Sequence, residues 1–587
     1  MRAWRAVFAV AAIWAAVGIA AGAPAFDKVV PEDTLAFVSV KNVPEMAAKV
    51  RKHPSYAIWK EPSVQAFLQK PLARLNEEIQ KAEGEAGVTL AEIWSLLQGQ
   101  VAVSVSMPAQ GDEPEVIVMA DVSGKGDQAM KTLDLLWKSM AARAPAAGQA
   151  KVVELEIEGS KFISIRSDAE AVEPDVTYGI AGDVLVGGRP LAAVQRAVSF
   201  LKAPPPAPLA ALPAYQQALD KVGSNSEIAV FVNVAKIIQL VDQRAGDPQT
   251  TQIMNGLGLN GLSTLSIGGE MANDHMTSRV SLMTTGNPQG IVRILMPQPG
   301  ALHSGAEAPA DASAFLSCRF EPALIWDEVE KILNTVAPQV LAAMNAGLAQ
   351  VAQQTEQPFN LRSDILGVFG PRLAMYTRFE KPYKIQTSQQ MVFILDISSR
   401  QAFESALEKL KKLSPLFNMF QPQDYMGYRL YTMGSMMQEM APPPEMAEQP
   451  RPAFAITEKE FIFSPNKAAL EAHLRRLNAG APSLQTRRDF QENLAALPAE
   501  GRILISFSDP RPQVEFLLST LKEGQYQPVL DMLKGDPDTA EVLDLFDLAL
   551  LPPPEVVTRH LSTGAGCILA QPDGLLILSH SPAKPAE

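Results

Sequence analysis

Cysteine, aromatic residues and positive charge are all scarce in this sequence. Two cysteines in 587 residues exclude a disulfide framework and a cysteine-rich zinc module. Lys and Arg number 51 against 64 Asp and Glu, which gives a formal net charge of −13. Sequence-independent binding of nucleic acid requires a basic surface that displaces counterions. We therefore expect no nucleic acid among the partners.

Long apolar runs are absent after the first 25 residues, so no later segment predicts a transmembrane helix. The N-terminus has two arginines, Arg2 and Arg5, followed by an apolar segment at 6–20 and the sequence A-P-A at 23–25. This order is typical of a secretory signal peptide, and we place its cleavage after Ala25. The alternative is an uncleaved N-terminal membrane helix, because the run just reaches the length of a span. With cleavage we expect a soluble protein, periplasmic or extracellular, without a membrane span.

The rest of the chain contains a tandem repeat. The segment PEDTLAFVS at Pro31–Ser39 recurs as PADASAFLS at Pro309–Ser317, and later elements follow in the same order in both copies. The strand VIVMADVS at Val116–Ser123, for example, corresponds to VFILDIS at Val392–Ser398. The predicted organisation is a signal peptide at 1–25, a first repeat at 26–295, a linker at 296–310, a second repeat at 311–582 and a tail at 583–587.

Each copy mixes strands and helices. Alternating apolar residues predict strands joined by hairpins, and apolar residues at helical spacing predict long helices within 64–79 and 329–348. Ser464-Pro465 is predicted to cap a later helix that carries Leu470 and Leu474. We predict an α+β fold with two tandem pseudo-equivalent domains, each a largely antiparallel sheet with packed helices.

The opening V-P-x-D-T-L-A-F-V-S-V, at Val30–Val40, resembles the start of exported bacterial proteins of unknown function. In those proteins a leader precedes a Pro-x-Asp-Thr strand and a long helix. The resemblance covers most of the chain in layout, and its motif is structural. It implies an envelope or secreted location. It implies no activity, because the family offers no catalytic residues to transfer.

Two features invite a catalytic interpretation. Gly256–Gly261 reads GLGLNG and matches the G-x-G-x-x-G pattern of dinucleotide sites. Such a site follows a strand and opens a helix, whereas these residues follow a predicted helix end and precede a predicted strand, so we interpret them as a glycine turn. Asp121 and Asp396 fall at equivalent strand ends. They either cap the following turn or form paired carboxylates for acid–base catalysis, and their repetition favours capping.

The histidines and cysteines give no site motif. None of the six histidines lies three to five residues from another, as a local metal motif would require. His473 lies beside Arg475 and Arg476 on a predicted helix, so we predict a solvent-facing side chain. Cys318 and Cys567 both lie in the second copy. An oxidising compartment permits a disulfide between them, and the sequence leaves open whether they pair.

A methionine-rich segment follows at Met433–Pro450. Met433, Met436, Met437 and Met440 are spaced three and four residues apart. Thioethers suit Cu(I), so a copper site is one interpretation. A flexible apolar surface or a proline-limited loop is the interpretation we favour, because methionine is more often a packing residue than a ligand.

These observations predict an exported, non-catalytic binding or structural protein of the bacterial envelope. A cleft between the duplicated domains would hold a peptide or lipid, and an envelope protein is a further candidate partner. The alternatives are an envelope hydrolase with a spatially assembled carboxylate site, and a copper or redox buffer that uses the methionine-rich segment. We assign no catalytic, cofactor-binding or metal-ligating residue and expect no cofactor.

Overall fold

The structure is a computed structural model. It describes residues 25–108, 113–143, 151–166, 176–272, 274–354, 359–413, 415–433 and 451–583. The predicted signal peptide lies outside the described residues, except for Ala25. Among the residues described, no helix is both long and apolar enough to cross a membrane.

The strands of the two repeats correspond one to one. Those of the first repeat are β1 Thr34–Val40, β2 Val101–Ser106, β3 Glu115–Asp121, β4 Lys151–Ile157, β5 Ser160–Arg166, β6 Val176–Ala181, β7 Val184–Arg189, β8 Ile228–Asn233, β9 Leu262–Met271 and β10 His275–Thr284. Those of the second are β11 Ala314–Arg319, β12 Phe369–Phe379, β13 Gln389–Ile397, β14 Phe420–Tyr425, β15 Tyr428–Met433, β16 Ala453–Ile456, β17 Glu460–Ser464, β18 Arg502–Ser508, β19 Gly564–Gln571 and β20 Gly574–Pro582.

The order of strands in the sheet is also the same in both repeats. The first repeat has the order β10-β9-β8-β1-β2-β3-β7-β6-β5-β4, and the second has β20-β19-β18-β11-β12-β13-β17-β16-β15-β14. Neighbours pair antiparallel from β9 through β4 and from β20 through β14. Shifting every label by ten therefore converts one order into the other. The predicted fold class is confirmed.

The repeated opening strand is central in each sheet. Phe37 of β1 lies opposite Phe231, and Phe315 of β11 lies opposite Phe507; all four rings are buried. Cross-strand aromatic pairs stabilise adjacent strands beyond the area they bury. The Ala-Phe pair shared by the two opening segments thus places a buried phenylalanine in the core of each repeat.

Both faces of the first sheet are covered by apolar cores. Met119 and Val186 belong to one buried cluster, whereas the adjacent Ala120 and Leu185 belong to another. Successive side chains of a strand point to opposite faces, so the continuous apolar runs of β3 and β7 reflect burial on both sides.

Helices connect many of these strands. In chain order they are α1 Val43–Lys52, α2 Pro54–Ile58, α3 Pro62–Ala86, α4 Leu90–Leu96, α5 Gly126–Arg143, α6 Leu191–Lys202, α7 Pro213–Val222, α8 Val234–Ala245, α9 Pro248–Gly256, α10 Gly290–Leu295, α11 Pro322–Val336, α12 Pro338–Gln354, α13 Leu361–Asp364, α14 Arg400–Leu413, α15 Lys467–Ala479, α16 Arg488–Ala495, α17 Arg511–Lys522, α18 Gln527–Leu533, α19 Pro537–Asp544 and α20 Pro554–Thr558.

The predicted helices are present, with one difference in a long helix and one in the cap of a later helix. The one predicted at 329–348 is divided into α11 and α12, because Pro338 cannot continue the hydrogen-bonding pattern of the preceding turn. The predicted cap of α15 at Ser464-Pro465 is wrong. Asn466 is the cap, and its side-chain oxygen accepts a hydrogen bond from the amide of Ala468 at 3.0 Å.

The chain divides into two compact units that differ slightly from the sequence repeats. The first unit consists of residues up to Ala57, Leu68–Val241 and Ser263–Met283; the second consists of Ile58–Phe67, Asp242–Leu262 and all residues from Thr284 onward. Three segments of the first repeat, at 58–67, 242–262 and 284–295, therefore belong to the second unit. The ring of Phe67, for example, lies 5.8 Å from that of Phe546.

Candidate functional site

The second unit contains a polar cavity of about 380 Å³, which we call the Arg293 cavity. Three segments form it: the end of α9, the residues at the start of α10, and one face of α11. The segments come from both sequence repeats. The lining residues are Asn255, Gly256, Pro288, Gln289, Gly290, Arg293, Glu328, Lys331 and Thr335.

Glycines allow the main chain to form one wall of this cavity. Gly258 and Gly290 have positive φ angles of 76° and 57°, a conformation that costs other L-residues energy. A Cβ atom at Gly258 would overlap the main-chain oxygen of Gln289. A Cβ atom at Gly256 would lie 2.8 Å from a methyl group of Val336. The G-x-G-x-x-G segment therefore permits the end of α9 to pack closely against the start of α10 and against α11.

The glycine segment is thus a turn, as the sequence predicted. The helix α9 ends at Gly256, and β9 begins at Leu262. A dinucleotide site requires the reverse order, a strand before the glycines and a helix after them. What the sequence did not indicate is that Gly256 lines a cavity.

The charged side chains that line the Arg293 cavity differ in their exposure and in their partners. Glu328 and Lys331 are one helical turn apart on α11 and form an ion pair of 2.7 Å. The Glu328 side chain is 11% exposed, whereas that of Lys331 is 69% exposed. Arg293 donates a hydrogen bond from Nη1 to the main-chain oxygen of Met296 at 3.1 Å. With Glu328 neutralised by Lys331, Arg293 gives the lining a net positive charge.

A second cavity in this unit, of about 420 Å³, mixes ion pairs with apolar residues. Arg319 donates to Glu321 at 2.8 Å. Arg362 contacts both carboxylate oxygens of Asp327, with Nη2 2.7 Å from Oδ2. Each of these four charges has an oppositely charged partner, although the buried Nε of Arg319 makes no hydrogen bond. The apolar lining residues are Pro322, Ala323, Leu324, Phe369 and Pro371.

A partly buried ionic network surrounds His303. His303 is 1% exposed, its Nδ1 lies 3.0 Å from Oε1 of Glu307, and its Nε2 lies 3.5 Å from Oδ1 of Asp396. Arg372 binds the same Asp396 through both carboxylate oxygens, with Nε 2.6 Å from Oδ2. Glu460 lies directly opposite Asp396 in the β13–β17 pair. We call these five residues the His303 network.

The network shifts the pKa values of its members in opposite directions. Burial alone would lower the pKa of His303, but Asp396 and Glu307 outweigh burial and raise that pKa to about 9. Burial opposes ionisation of Asp396 as well, yet His303 and Arg372 hold its pKa below the usual range. The pKa of Glu460 is raised, because desolvation dominates there.

The two equivalent aspartates have different roles. Asp121 accepts a hydrogen bond from the amide of Ser123 at 3.0 Å, which is the predicted turn-capping role. Asp396 instead bridges His303 and Arg372, so the capping prediction is wrong for the second copy. The strand registers explain the difference, since the position of Arg372 corresponds to Gln100 in the first copy. Asp121 and Asp396 belong to different compact units.

The prediction that His473 faces solvent is also wrong. His473 is 2% exposed, stacks on Tyr376 with ring centroids 5.7 Å apart, and its Nδ1 lies 3.0 Å from the Tyr376 hydroxyl. Burial, assisted by the positive charge of Arg476, lowers the pKa of His473 to about 3. The missed signal was helical spacing, because His473 lies on the same face as Leu470 and Leu474.

The two cysteines are free thiols. Cys318 lies opposite Leu504 on one side of β18, and Cys567 lies opposite Ile505 on the other side. The two cysteines are therefore two strands apart, about 9–10 Å at normal strand spacing. Directly opposed residues share a face and adjacent residues alternate, so the two side chains point to opposite faces. A disulfide requires Cα atoms within about 7 Å, and this arrangement excludes one.

The methionine-rich segment falls mostly outside the described residues. Met433 ends β15, whereas Met436, Met437 and Met440 are not described. In the part of the chain that is described, no group of three or more His, Cys, Asp and Glu side chains could hold a metal ion.

No protein-family model and no curated protein sequence matches the chain. Among solved structures, two crystal forms of the Treponema protein TP0453 show a weak similarity. Form III has 11% identity and a TM-score of 0.24, and the match covers 49% of this chain and 90% of TP0453. Form I has 10% identity and a TM-score of 0.22, and the match covers 46% and 82%, respectively. Similarity at this level carries no argument about fold or function.

Proposed function

We propose that this chain is an exported, non-catalytic binding protein of the bacterial envelope that holds a small ligand in the Arg293 cavity. The observation that supports this proposal is the cavity itself. Its volume of about 380 Å³ falls within the range of about 300–1,000 Å³ typical of ligand sites. Its walls combine residues of both repeats with a few polar and charged groups. Such groups fix the orientation of a ligand.

The proposed location rests on the N-terminal sequence. Cleavage after Ala25 would leave Phe26 as the first residue of the mature protein. Fractionation of the native cells, followed by mass spectrometry of the N-terminus, tests this step. We expect a chain beginning at Phe26 in the periplasmic or secreted fraction. A chain that keeps residues 1–25 and is recovered in the membrane fraction would contradict export by cleavage.

A hydrolase is the second candidate, and the His303 network is the feature that favours it. Asp396 and Glu460 are neighbouring carboxyl groups with pKa values shifted in opposite directions, as an acid–base pair requires. Both oxygens of Asp396, however, already contact Arg372 or His303. Neither carboxyl group lines the Arg293 cavity or the second cavity. These contacts favour a structural role, and therefore a binding protein.

Native mass spectrometry tests the binding function directly. The mature protein, purified from its own envelope, should carry a reproducible bound mass. Thr335→Trp would fill the cavity whatever the chemistry of the ligand, and should abolish that mass. Asn334→Trp is the matched control, because it adds the same bulk at the exposed neighbouring position of α11. A bound mass that survives Thr335→Trp would place the ligand elsewhere and contradict the proposal.

A further inference from the structure

We propose that the Arg293 cavity recognises an oxyanionic group, a carboxylate or a phosphate, through the guanidinium of Arg293. This inference rests on the proposed binding function and names the chemical class of its ligand.

The charge balance favours an anion. Lys331 neutralises the only carboxylate among the lining residues, Glu328, at 2.7 Å. The remaining charge of the lining is that of Arg293. The chain as a whole has a formal charge of −13, so this lining differs in sign from the whole molecule. A local positive charge in an acidic protein attracts an anionic ligand to that place.

The donors are held in a fixed orientation. The hydrogen bond from Arg293 Nη1 to the Met296 oxygen uses one of the five N–H groups of the guanidinium. That bond orients the planar group, which can bind carboxylate or phosphate through two parallel hydrogen bonds. Asn255 adds a second donor. Its side-chain oxygen accepts from Asn260, which orients the amide and leaves its NH₂ group as the donor.

Volume and polarity limit the rest of the ligand. A space of about 380 Å³ corresponds to about a dozen water molecules at roughly 30 Å³ each. Two glycines, two amides, three charged side chains, Pro288 and Thr335 line it, so its one apolar side chain is a single proline ring, too little to cover an acyl chain. The ligand is therefore a small polar molecule, or the anionic end of a larger one such as a peptide C-terminus or a phosphate headgroup.

Isothermal titration calorimetry of the mature full-length protein tests this inference. The probes are inorganic phosphate, N-acetyl-alanyl-alanine with its free carboxylate, and the uncharged amide of the same dipeptide. We expect at least one anion to bind and the amide not to bind. Phosphate binding alone would indicate a phosphate headgroup or free phosphate, and dipeptide binding alone would indicate a peptide C-terminus.

The variants assign the binding to Arg293. Arg293→Gln should weaken binding of the anion by about 10- to 100-fold, the usual effect of losing charge-assisted hydrogen bonds. Lys534→Gln breaks the Lys534–Asp544 ion pair outside the cavity and should leave binding unchanged. If Arg293→Gln fails to fold, Arg293→Lys keeps the charge but loses the two-pronged geometry, and should still weaken binding several-fold.

Two results would overturn the oxyanion inference. One is the absence of binding by either anion up to about 10 mM, a limit that corresponds to negligible affinity. The other is equal binding by the wild type and Arg293→Gln. Failure of the inference is distinguishable from failure of the proposed function. A co-purified mass that is lost in Thr335→Trp but kept in Arg293→Gln would leave a binding protein whose ligand is not held as an anion.

Discussion

Replacing His303 by Gln removes the positive charge that lies between Glu307 and Asp396. In the wild type these two carboxylates raise the pKa of His303 from 6.5 to about 9. One pKa unit corresponds to about 1.4 kcal/mol, so the protonated imidazole contributes about 3 kcal/mol to the free energy of unfolding. This value agrees with the lower end of the roughly 3–5 kcal/mol lost when one partner of a buried ion pair is removed.

The sign of the pH dependence follows from the direction of the shift. The folded-state pKa of His303 is above its unfolded-state value, so the contribution is fully present below about pH 6.5. It declines as the pH rises and is lost once the pH passes about 9. The stability difference between wild type and His303→Gln should therefore be about 3 kcal/mol larger at pH 6 than at about pH 10.

Denaturant unfolding followed by tryptophan fluorescence measures this difference in a Trp94→Phe, Trp137→Phe background. Those two tryptophans belong to the first unit, whereas Trp59 and Trp326 belong to the second. His473→Gln is the matched control. It replaces another buried histidine, one whose lowered pKa keeps it neutral in this range. Its stability difference should not change between about pH 7 and pH 10. A His303→Gln difference that is equally independent of pH would refute the ionic explanation and indicate a packing defect alone.

Three further predictions concern other described features. Gly258→Ala should destabilise the second unit by about 2–4 kcal/mol in denaturant unfolding, because φ is positive and the new methyl group overlaps the main chain. The control Gly286→Ala also has a positive φ but open space around the new methyl group, so it should cost only about 1 kcal/mol. His473 is buried with its pKa lowered to about 3, so wild-type stability should fall as the pH drops below 6.5, and His473→Leu should reduce that slope; an unchanged slope would contradict the neutral state. Cys318 and Cys567 should titrate as two free thiols in denaturant without reductant, and a mass 2 Da lower without reductant than with it would contradict their placement on opposite faces.

The sequence predicted the fold well because its evidence was periodic and duplicated. The Pro31–Ser39 and Pro309–Ser317 segments place one strand at the centre of each sheet. The shared order of later elements then reproduces the topology. Local patterns of this kind follow from burial on one or both faces of a strand.

The sites were harder to predict because they depend on residues far apart in the chain. The Arg293 cavity joins residues at 255–256, 288–293 and 328–335, and nothing in any one segment indicates the others. His303 lies in a segment rich in Pro, Gly and Ala, a composition typical of a linker, yet its side chain is 1% exposed. Its partners Arg372 and Asp396 come from two later strands. The position of His473, in contrast, was predictable from its spacing to Leu470.

The central claim is that a ligand occupies the Arg293 cavity of the mature protein. Native mass spectrometry of the protein purified from its own envelope tests it most directly, with the wild type, Thr335→Trp and Asn334→Trp compared side by side. We predict one reproducible bound mass in the wild type and in Asn334→Trp, and none in Thr335→Trp. A wild-type protein with only its polypeptide mass, or a bound mass unchanged by Thr335→Trp, would contradict the claim.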